Sequence, residues 1–154
     1  MTVGIVGAGQ LGRMLALAGY PLGFDFLFLD PATDAPAAAL APHLVGAFDD
    51  ASLLAELARR CRTITFDWEN VSVAALRAHA GRARICPPLA ALAASQDRVS
   101  EKRLFERLKL PTTRWRAVAN LPQLQRAVRE LGLPGILKTR RLGYDGKGQA
   151  LLQA

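Results

Sequence analysis

Short apolar runs alternate along this chain with stretches of helical periodicity. The apolar runs predict five strands in the first part of the chain, at residues 3–6, 24–29, 45–48, 63–66 and 84–86. Amphipathic or capped stretches that predict helices lie between most of them. Strands that alternate with helices are typical of a parallel sheet with crossover helices. We therefore predict an α/β fold with a Rossmann-like parallel sheet.

The first helix carries its apolar side chains at the spacing of one helical face. Leu11, Met14, Leu15 and Ala18 follow the i, i+3, i+4, i+7 pattern, which predicts that this face packs against the sheet. Gly19 and then Pro21 end the helix. Further along, two later helices are predicted to be capped, one by the acidic pair Asp49 and Asp50 and the other by Ser72. Their side-chain oxygens can accept the unpaired amides of the first turn.

The pattern changes near residues 88–97, where we place a domain boundary that gives domains 1–92 and 93–154. A charged helix is predicted over 96–109, with Val99, Leu104 and Leu108 as its apolar seam. A strand at 113–118 and a helix that starts after Asn120 are predicted next. The apolar side of that helix consists of Leu124, Ala127, Val128 and Leu131. Strands at 135–138 and 149–152 then flank a glycine-rich stretch.

Composition and charge narrow the functional classes. Hydrophobic residues make up 51% of the chain, which indicates a globular protein, and the two cysteines show no metal-ligand or disulfide pattern. The net charge of +7 comes from basic residues scattered through predicted helices, so we expect small phosphorylated ligands and no nucleic acid. Gln10 and Arg13 interrupt the first apolar stretch. We therefore expect no signal peptide or membrane span, and a cytoplasmic protein.

Gly7, Gly9 and Gly12 form the first candidate site, between a strand and a helix. Glycines there permit a tight turn whose amides can face a phosphate. Asp30, at the end of the next strand, stands where a dinucleotide enzyme binds a ribose hydroxyl, so a nicotinamide-dependent oxidoreductase is one alternative. The structural alternative keeps the glycines for close packing and makes Asp30 a cap before Pro31.

Lys138 and the glycine-rich hairpin after it form the second candidate site. A lysine on a strand can neutralise a phosphate oxygen, and glycines 143, 146 and 148 can bring amides over phosphates without obstruction. The alternative is a plain hairpin with a solvated lysine.

Four motifs occur together and in order: residues 7–13 (GAGQLGR), 65–71 (TFDWENV), 96–102 (QDR with EK) and Lys138 followed by 143–149 (GYDGKGQ). In these motifs the chain resembles the 5-(carboxyamino)imidazole ribonucleotide synthases, which are ATP-grasp ligases. The resemblance covers nearly the whole chain, and Trp68 departs from the smaller acidic or aromatic residue usual there. It implies a pre-ATP-grasp domain with a parallel sheet, followed by the incomplete start of an α+β ATP-grasp domain.

The resemblance also implies roles for individual residues. ATP would be bound by Arg98, Lys138, Gly143, Tyr144, Asp145, Gly146, Lys147, Gly148 and Gln149, and aminoimidazole ribonucleotide by Gln10, Leu11, Glu69 and Tyr144. Each has a plainer alternative: Gln10 as a helix cap, Glu69 as a solvated carboxylate, Tyr144 packed on the hairpin and Arg98 paired with a nearby carboxylate. We expect Glu69 and Lys138 to line one shared cleft.

The implied reaction uses ATP, magnesium and bicarbonate to carboxylate aminoimidazole ribonucleotide, in a protein that is a homodimer at full length. Catalytic residues and magnesium ligands are expected beyond Ala154, so we expect the chain alone to be inactive. A glycinamide ribonucleotide ligase of the same superfamily is the nearest alternative. A regulatory or scaffolding module that has lost catalysis is a further one.

Overall fold

The computed structural model describes residues 1–143 and 146–153 and divides the chain into two compact units. The first unit is Met1–Ala93, and the second starts at Ala94. The strands are β1 Thr2–Val6, β2 Asp25–Asp30, β3 His43–Val45, β4 Thr63–Phe66, β5 Arg84–Ile85, β6 Gly135–Lys138 and β7 Gln149–Leu152. The helices are α1 Gln10–Gly19, α2 Ala51–Arg60, α3 Val73–Arg77, α4 Leu89–Ser95, α5 Arg98–Arg107 and α6 Leu121–Leu131, and a 3₁₀ turn covers Tyr20–Leu22.

The first unit is a five-stranded parallel sheet in the order β3-β2-β1-β4-β5. The chain runs outward from β1 through β2 to β3 and then crosses back to β4, on the other side of β1. The winding reverses there, so the loops after β1 and β4 lie side by side at the carboxyl edge of the sheet. The predicted parallel α/β sheet is confirmed. Each of the five strands predicted in this unit is present, with its ends shifted by three residues at most.

Alternate side chains of the strands form two separate cores. On β2, Leu27 and Leu29 pack into the core on the side of α2 and α3, whereas Phe26 and Phe28 pack on the opposite side, against α1. All four are at most 7% exposed. A strand buried on both faces needs apolar residues at consecutive positions, which is why its sequence is a continuous apolar run.

The predicted face of α1 is wrong. Leu11, Met14 and Leu15 are 59%, 61% and 45% exposed, and Ala18 is also exposed. The buried residues of α1 are Gly12, Ala16 and Gly19. The reason is steric: a Cβ on Gly19 would lie 2.4 Å from Cζ of Phe26, so the large rings of β2 admit only small side chains from the helix.

The helix caps agree with the sequence patterns. Asp50 Oδ1 accepts the amides of Ser52 (2.8 Å) and Leu53 (3.0 Å), and Ser72 Oγ accepts that of Ala75 at 3.2 Å. These bonds satisfy amides that have no partner inside the first turn of a helix.

The second unit contains α5, α6 and an antiparallel ribbon of β6 and β7. The predicted strand at 113–118 is wrong: no strand forms there, and side chains hold the segment instead, with Trp115 Nε1 donating to Glu106 and Arg116 to Glu130. A strand needs a neighbour to share its backbone bonds, and in the described part of the chain β6 and β7 pair with each other.

The helices of this unit follow the predictions more closely. Asn120 Oδ1 accepts the amide of Gln123, whose side chain accepts that of Ala119, so the predicted cap of α6 is confirmed. The predicted side of α6 is buried or half-buried. Helix α5 is shorter than predicted, and Leu108 lies beyond its end and is 57% exposed. Helix α4 was not predicted.

Candidate functional site

The glycine turn after β1 is filled by a carboxylate of the protein itself. Asp67, directly after β4, accepts the amide of Gly12 on Oδ2 at 2.9 Å. A Cβ built on Gly7 would lie 3.1 Å from Cβ of Asp67, and one on Gly9 or Gly12 would lie 3.0 Å from Oδ2 of Asp67. Because the three glycines have no Cβ, the Asp67 side chain can pack directly against the backbone at each of these positions.

A second carboxylate bonds the same turn. Asp30 accepts the amide of Ala8 on Oδ2 at 2.8 Å and that of Ala32 on Oδ1 at 2.9 Å. Asp30 is thus a strand-end cap, as the structural alternative holds. A pyrophosphate at this helix start would meet negative charge where free amides are needed. The interpretation of this turn as a dinucleotide site is therefore wrong.

Gln10, Leu11 and Glu69 lie at the same carboxyl edge of the sheet. Gln10 and Leu11 are exposed in the first turn of α1. Gly9 occupies the cap position of this helix, so the alternative of Gln10 as its cap is wrong. Glu69 is half-buried two residues after Asp67. Nearby, Nδ2 of Asn70 is buried without a hydrogen-bond partner among the described residues. A buried amide donor without a partner is costly, which marks this turn as a place for a ligand acceptor.

The second unit holds a basic cavity of about 640 Å³. Its polar lining includes six cations, namely Arg98, Lys102, Arg114, Arg116, Lys138 and Arg140, against one carboxylate, Glu101. Aliphatic side chains of α6 and β6 form much of the remaining wall, and its size is typical of a small-molecule site. Arg116 and Arg140 are paired with Glu130 and Asp97, and the positive charge that remains would attract anions such as phosphates.

Arg98 and Lys138 line this cavity together. The guanidinium of Arg98 donates from Nη2 to the carbonyl oxygen of Gly143 at 3.1 Å, and its pairing with a nearby carboxylate stays an alternative. Lys138 ends β6, opposite Gln149 on β7. The structure thus brings together two of the residues predicted to bind ATP, although their contact with a nucleotide stays a prediction.

Asp97, just before α5, was missed as a site residue. It is 8% exposed and accepts the amides of Val99 and Ser100 on Oδ1. Its Oδ2 accepts Nε and Nη2 of Arg140 at 3.0 and 2.7 Å. The Ser100 amide bond is the main cause that lowers the pKa of Asp97, and Arg140 lowers it further. A signal was present, because Asp is a preferred residue before the first turn of a helix.

Thr139 closes the base of the glycine-rich hairpin. Its amide donates to the carbonyl oxygen of Gly148 at 2.8 Å. A Cβ on Gly148, whose φ is +69°, would lie 2.4 Å from Oγ1 of Thr139, and one on Gly143 would lie 3.0 Å from the same atom. Glycine is therefore required at 148 by both backbone and space. Two predicted residues, Tyr144 and Asp145, lie outside the described residues.

No group of His, Cys, Asp and Glu side chains that could hold a metal ion forms within residues 1–143 and 146–153. Both cysteines are free thiols, and burial raises the pKa of Cys61 to about 11. Across the same residues, no helix combines the length and apolar character needed to cross a membrane.

Comparison with known families agrees with this geometry. Residues 1–96 match the family model of the ribonucleotide synthetase pre-ATP-grasp domain, and residues 103–154 match that of the ATP-grasp domain. The chain belongs to the ribonucleotide synthetase pre-ATP-grasp family. The predicted order of a pre-ATP-grasp domain followed by the start of an ATP-grasp domain is thereby confirmed.

Similar proteins in this family have a shared name. The N5-carboxyaminoimidazole ribonucleotide synthase of Brucella melitensis is 47% identical over 152 residues, which cover 98% of this chain and 42% of that protein. The Staphylococcus aureus N5-carboxyaminoimidazole synthetase, solved with ADP, superposes with a TM-score of 0.94 at 34% identity, covering 99% of this chain and 41% of that one. The Aspergillus clavatus enzyme, solved with ADP and 5-aminoimidazole ribonucleotide, superposes with a TM-score of 0.87 at 28% identity, covering 99% and 40%.

This chain thus spans about two fifths of the length of the relatives that it matches. The expectation that Glu69 and Lys138 line one cleft concerns residues of two separately described units, and it stays a prediction.

Proposed function

We propose that the protein carrying this chain is an ATP-dependent N5-carboxyaminoimidazole ribonucleotide synthase. The proposal is supported by relatives of that name and by the carboxyl edge around Glu69. The single observation that carries it from the chain's own side is the basic cavity, where Arg98 and Lys138 stand beside a glycine-rich hairpin. Cations gathered beside a glycine-rich hairpin suit a nucleoside triphosphate.

In the proposed reaction, the γ-phosphoryl group of ATP passes to bicarbonate, giving ADP and carboxyphosphate. The exocyclic amine of aminoimidazole ribonucleotide then captures the carboxyl group, phosphate leaves and the amine loses a proton. Arg98 and Lys138 would hold phosphate oxygens and screen their charge, because phosphoryl transfer depends chiefly on positioning and electrostatics. Residues 143 and 146–149, with Tyr144 and Asp145, would cover the nucleotide.

The first domain, proposed as 1–92, would bind aminoimidazole ribonucleotide through Gln10, Leu11 and Glu69, with Tyr144 reaching it from the second, 93–154. The filled glycine turn supports this role for the exposed start of α1, because Asp67 and Asp30 hold the turn in shape and leave Gln10 and Leu11 accessible. Asn70 Nδ2 would supply a nearby donor.

Magnesium belongs to this class of reaction, but the described residues do not fit a metal site. The cavity contains one carboxylate, Glu101, against six cations. No step is therefore assigned to the metal through this chain. A cytoplasmic location and a homodimer are part of the proposal, and light scattering of the full-length protein would test the dimer.

The test is ADP release by the full-length protein that contains residues 1–154. We expect release to require both bicarbonate and aminoimidazole ribonucleotide, and Lys138→Ala to raise the KM for ATP by at least about tenfold, since a charge-assisted phosphate contact is lost. Arg103→Ala, which removes an exposed cation of α5 outside the cavity, is the matched control and should change little.

The 154-residue chain alone should release no ADP, since it spans only about two fifths of the length of its relatives. Turnover by it would contradict that expectation. Turnover of glycinamide ribonucleotide in place of aminoimidazole ribonucleotide would favour the neighbouring ligase. Binding of NADH in place of ATP would end the proposal.

A further inference from the structure

One carboxylate connects the start of α5 with the segment after β6. Asp97 uses Oδ1 to cap the helix, through the amides of Val99 and Ser100, and Oδ2 to hold two nitrogens of Arg140. The Asp97 side chain is 11% exposed, whereas that of Arg140 is 62% exposed. The ion pair is therefore anchored on its buried carboxylate, which distinguishes it from an ordinary surface pair.

Further bonds join the same two segments. The amide of Arg98 donates to the carbonyl oxygen of Arg140 at 2.9 Å, and Nη2 of Arg141 donates to Oε1 of Gln96 at 3.0 Å. Arg98 Nη2 donates to the carbonyl oxygen of Gly143. Residues 96–98 and 140–143 are thus held in one register, with the two-nitrogen contact to Asp97 at its centre.

This register determines where two cations of the basic cavity stand. Arg98 immediately follows Asp97. Lys138 is the last residue of β6 and lies two residues before Arg140. A guanidinium has five N–H donors, and the bond to Gly143 uses one of them. Its other donors would meet phosphate oxygens of a bound nucleotide as long as Arg98 is kept in place.

We propose that Asp97 is a positioning residue for nucleotide binding: by holding Arg140, it keeps Arg98 beside the base of the glycine-rich hairpin and sets its spacing from Lys138. This inference rests on the proposed function. Asp97 itself contacts no phosphate, because a carboxylate would repel one. Its effect passes through the geometry of the two segments.

The experiment uses the full-length protein with Asp97→Asn, which keeps an oxygen for the cap but turns an amide toward Arg140. We expect the KM for ATP to rise about tenfold, as displaced positioning groups commonly cause, while the kcat changes less than about twofold. The KM for aminoimidazole ribonucleotide should not change. Glu56→Gln, which breaks the surface pairs with Arg59 and Arg60 on α2, outside the cavity, is the control and should leave all three constants in place.

Arg140→Ala in both backgrounds separates positioning from direct binding. If Asp97 acts through Arg140, the effects of the two substitutions are not additive. A KM for ATP that rises with Arg140→Ala but not with Asp97→Asn would mean that Arg140 binds the nucleotide itself, and would overturn the inference. If Asp97→Asn lowered kcat and thermal stability and raised both KM values together, Asp97 would have only a structural role. That result would also overturn the inference.

Hydrogen exchange provides a readout that needs no turnover. The amide of Arg98 donates across this register to the carbonyl oxygen of Arg140, so it should exchange faster in Asp97→Asn than in Glu56→Gln. Faster exchange with an unchanged KM for ATP would contradict the inference. A wild type that does not bind ATP would remove the proposed function and this inference together, and the exchange result would then show separately whether Asp97 holds the register.

Discussion

Replacing Asp67 with alanine removes the acceptor of the Gly12 amide at the start of α1. Gly9, the cap residue, has no side chain, so Asp67 is the carboxylate that performs this role. Loss of a helix cap costs about 0.5–2 kcal/mol, and a partly buried amide left without its partner raises the figure. We expect Asp67→Ala to lower the free energy of unfolding of the first unit by about 1–2 kcal/mol.

The glycines of the turn allow a stricter test of the same contact. The atoms nearest to a Cβ on Gly9 all belong to Asp67, the closest being Oδ2 at 3.0 Å. Gly9→Ala should therefore push the carboxylate away and destabilise the wild type. In the Asp67→Ala background that obstruction is gone, so the cost of Gly9→Ala should fall by about 1 kcal/mol, a coupling of the size found between touching residues.

Urea unfolding of the chain, followed by the fluorescence of Trp68, measures both effects. Trp68 packs against the core of the first unit, and a Trp115→Phe background removes the signal of the second. Asp67→Asn serves as the control, because its side-chain amide oxygen can still accept the Gly12 amide. Only the negative charge near the helix start is lost, which should lower the free energy of unfolding by about 0.3–1 kcal/mol. Additive single effects, or an Asp67→Ala loss below about 0.5 kcal/mol, would refute the reasoning.

Two further predictions concern pH. Because burial raises the pKa of Cys61 from 9.0 to about 11, the unfolded state loses its thiol proton first, and the free energy of unfolding should fall as pH rises across that window. Urea titrations should show this decline reduced in Cys61→Ala, and an equal decline would contradict it. Asp97 has a lowered pKa, so its stabilisation is present above the unfolded value of about 3.9 and is lost as pH falls through the folded one. The wild type should approach Asp97→Asn in stability in acid, as followed by Trp115 fluorescence, and a constant gap would count against the ion pair.

The strands could be predicted because a parallel sheet buries both faces. Residues 25–30 and 63–66 are nearly continuous apolar or β-branched runs, and no helix pattern competes with them. The caps at Asp50, Ser72 and Asn120 were equally readable, since each bond involves residues no more than three positions apart. Local chemistry of this kind needs no knowledge of the rest of the fold.

The predictions that failed depend on contacts distant in sequence. The apolar spacing of Leu11, Met14 and Leu15 is a true helical pattern, but Phe26 and Phe28 across the interface admit only the glycine and alanine face of α1. Likewise, residues 113–118 have the composition of a strand, but no partner pairs with them in the described part of the chain. Burial and pairing are settled by the partner, which the local pattern does not contain.

The two glycine-rich turns of this chain show why glycine spacing alone does not identify a phosphate site. Both offer backbone amides and space, but carboxylates of Asp30 and Asp67 bond the amides of the first turn, whereas Arg98 bonds a carbonyl of the second and lines a basic cavity with Lys138. An anion at the first turn would have to displace bonded carboxylates, and one at the second would meet cations. The charge of the side chains that face a turn therefore decides what it binds, and this can be judged only once the strands that carry those side chains are placed next to each other.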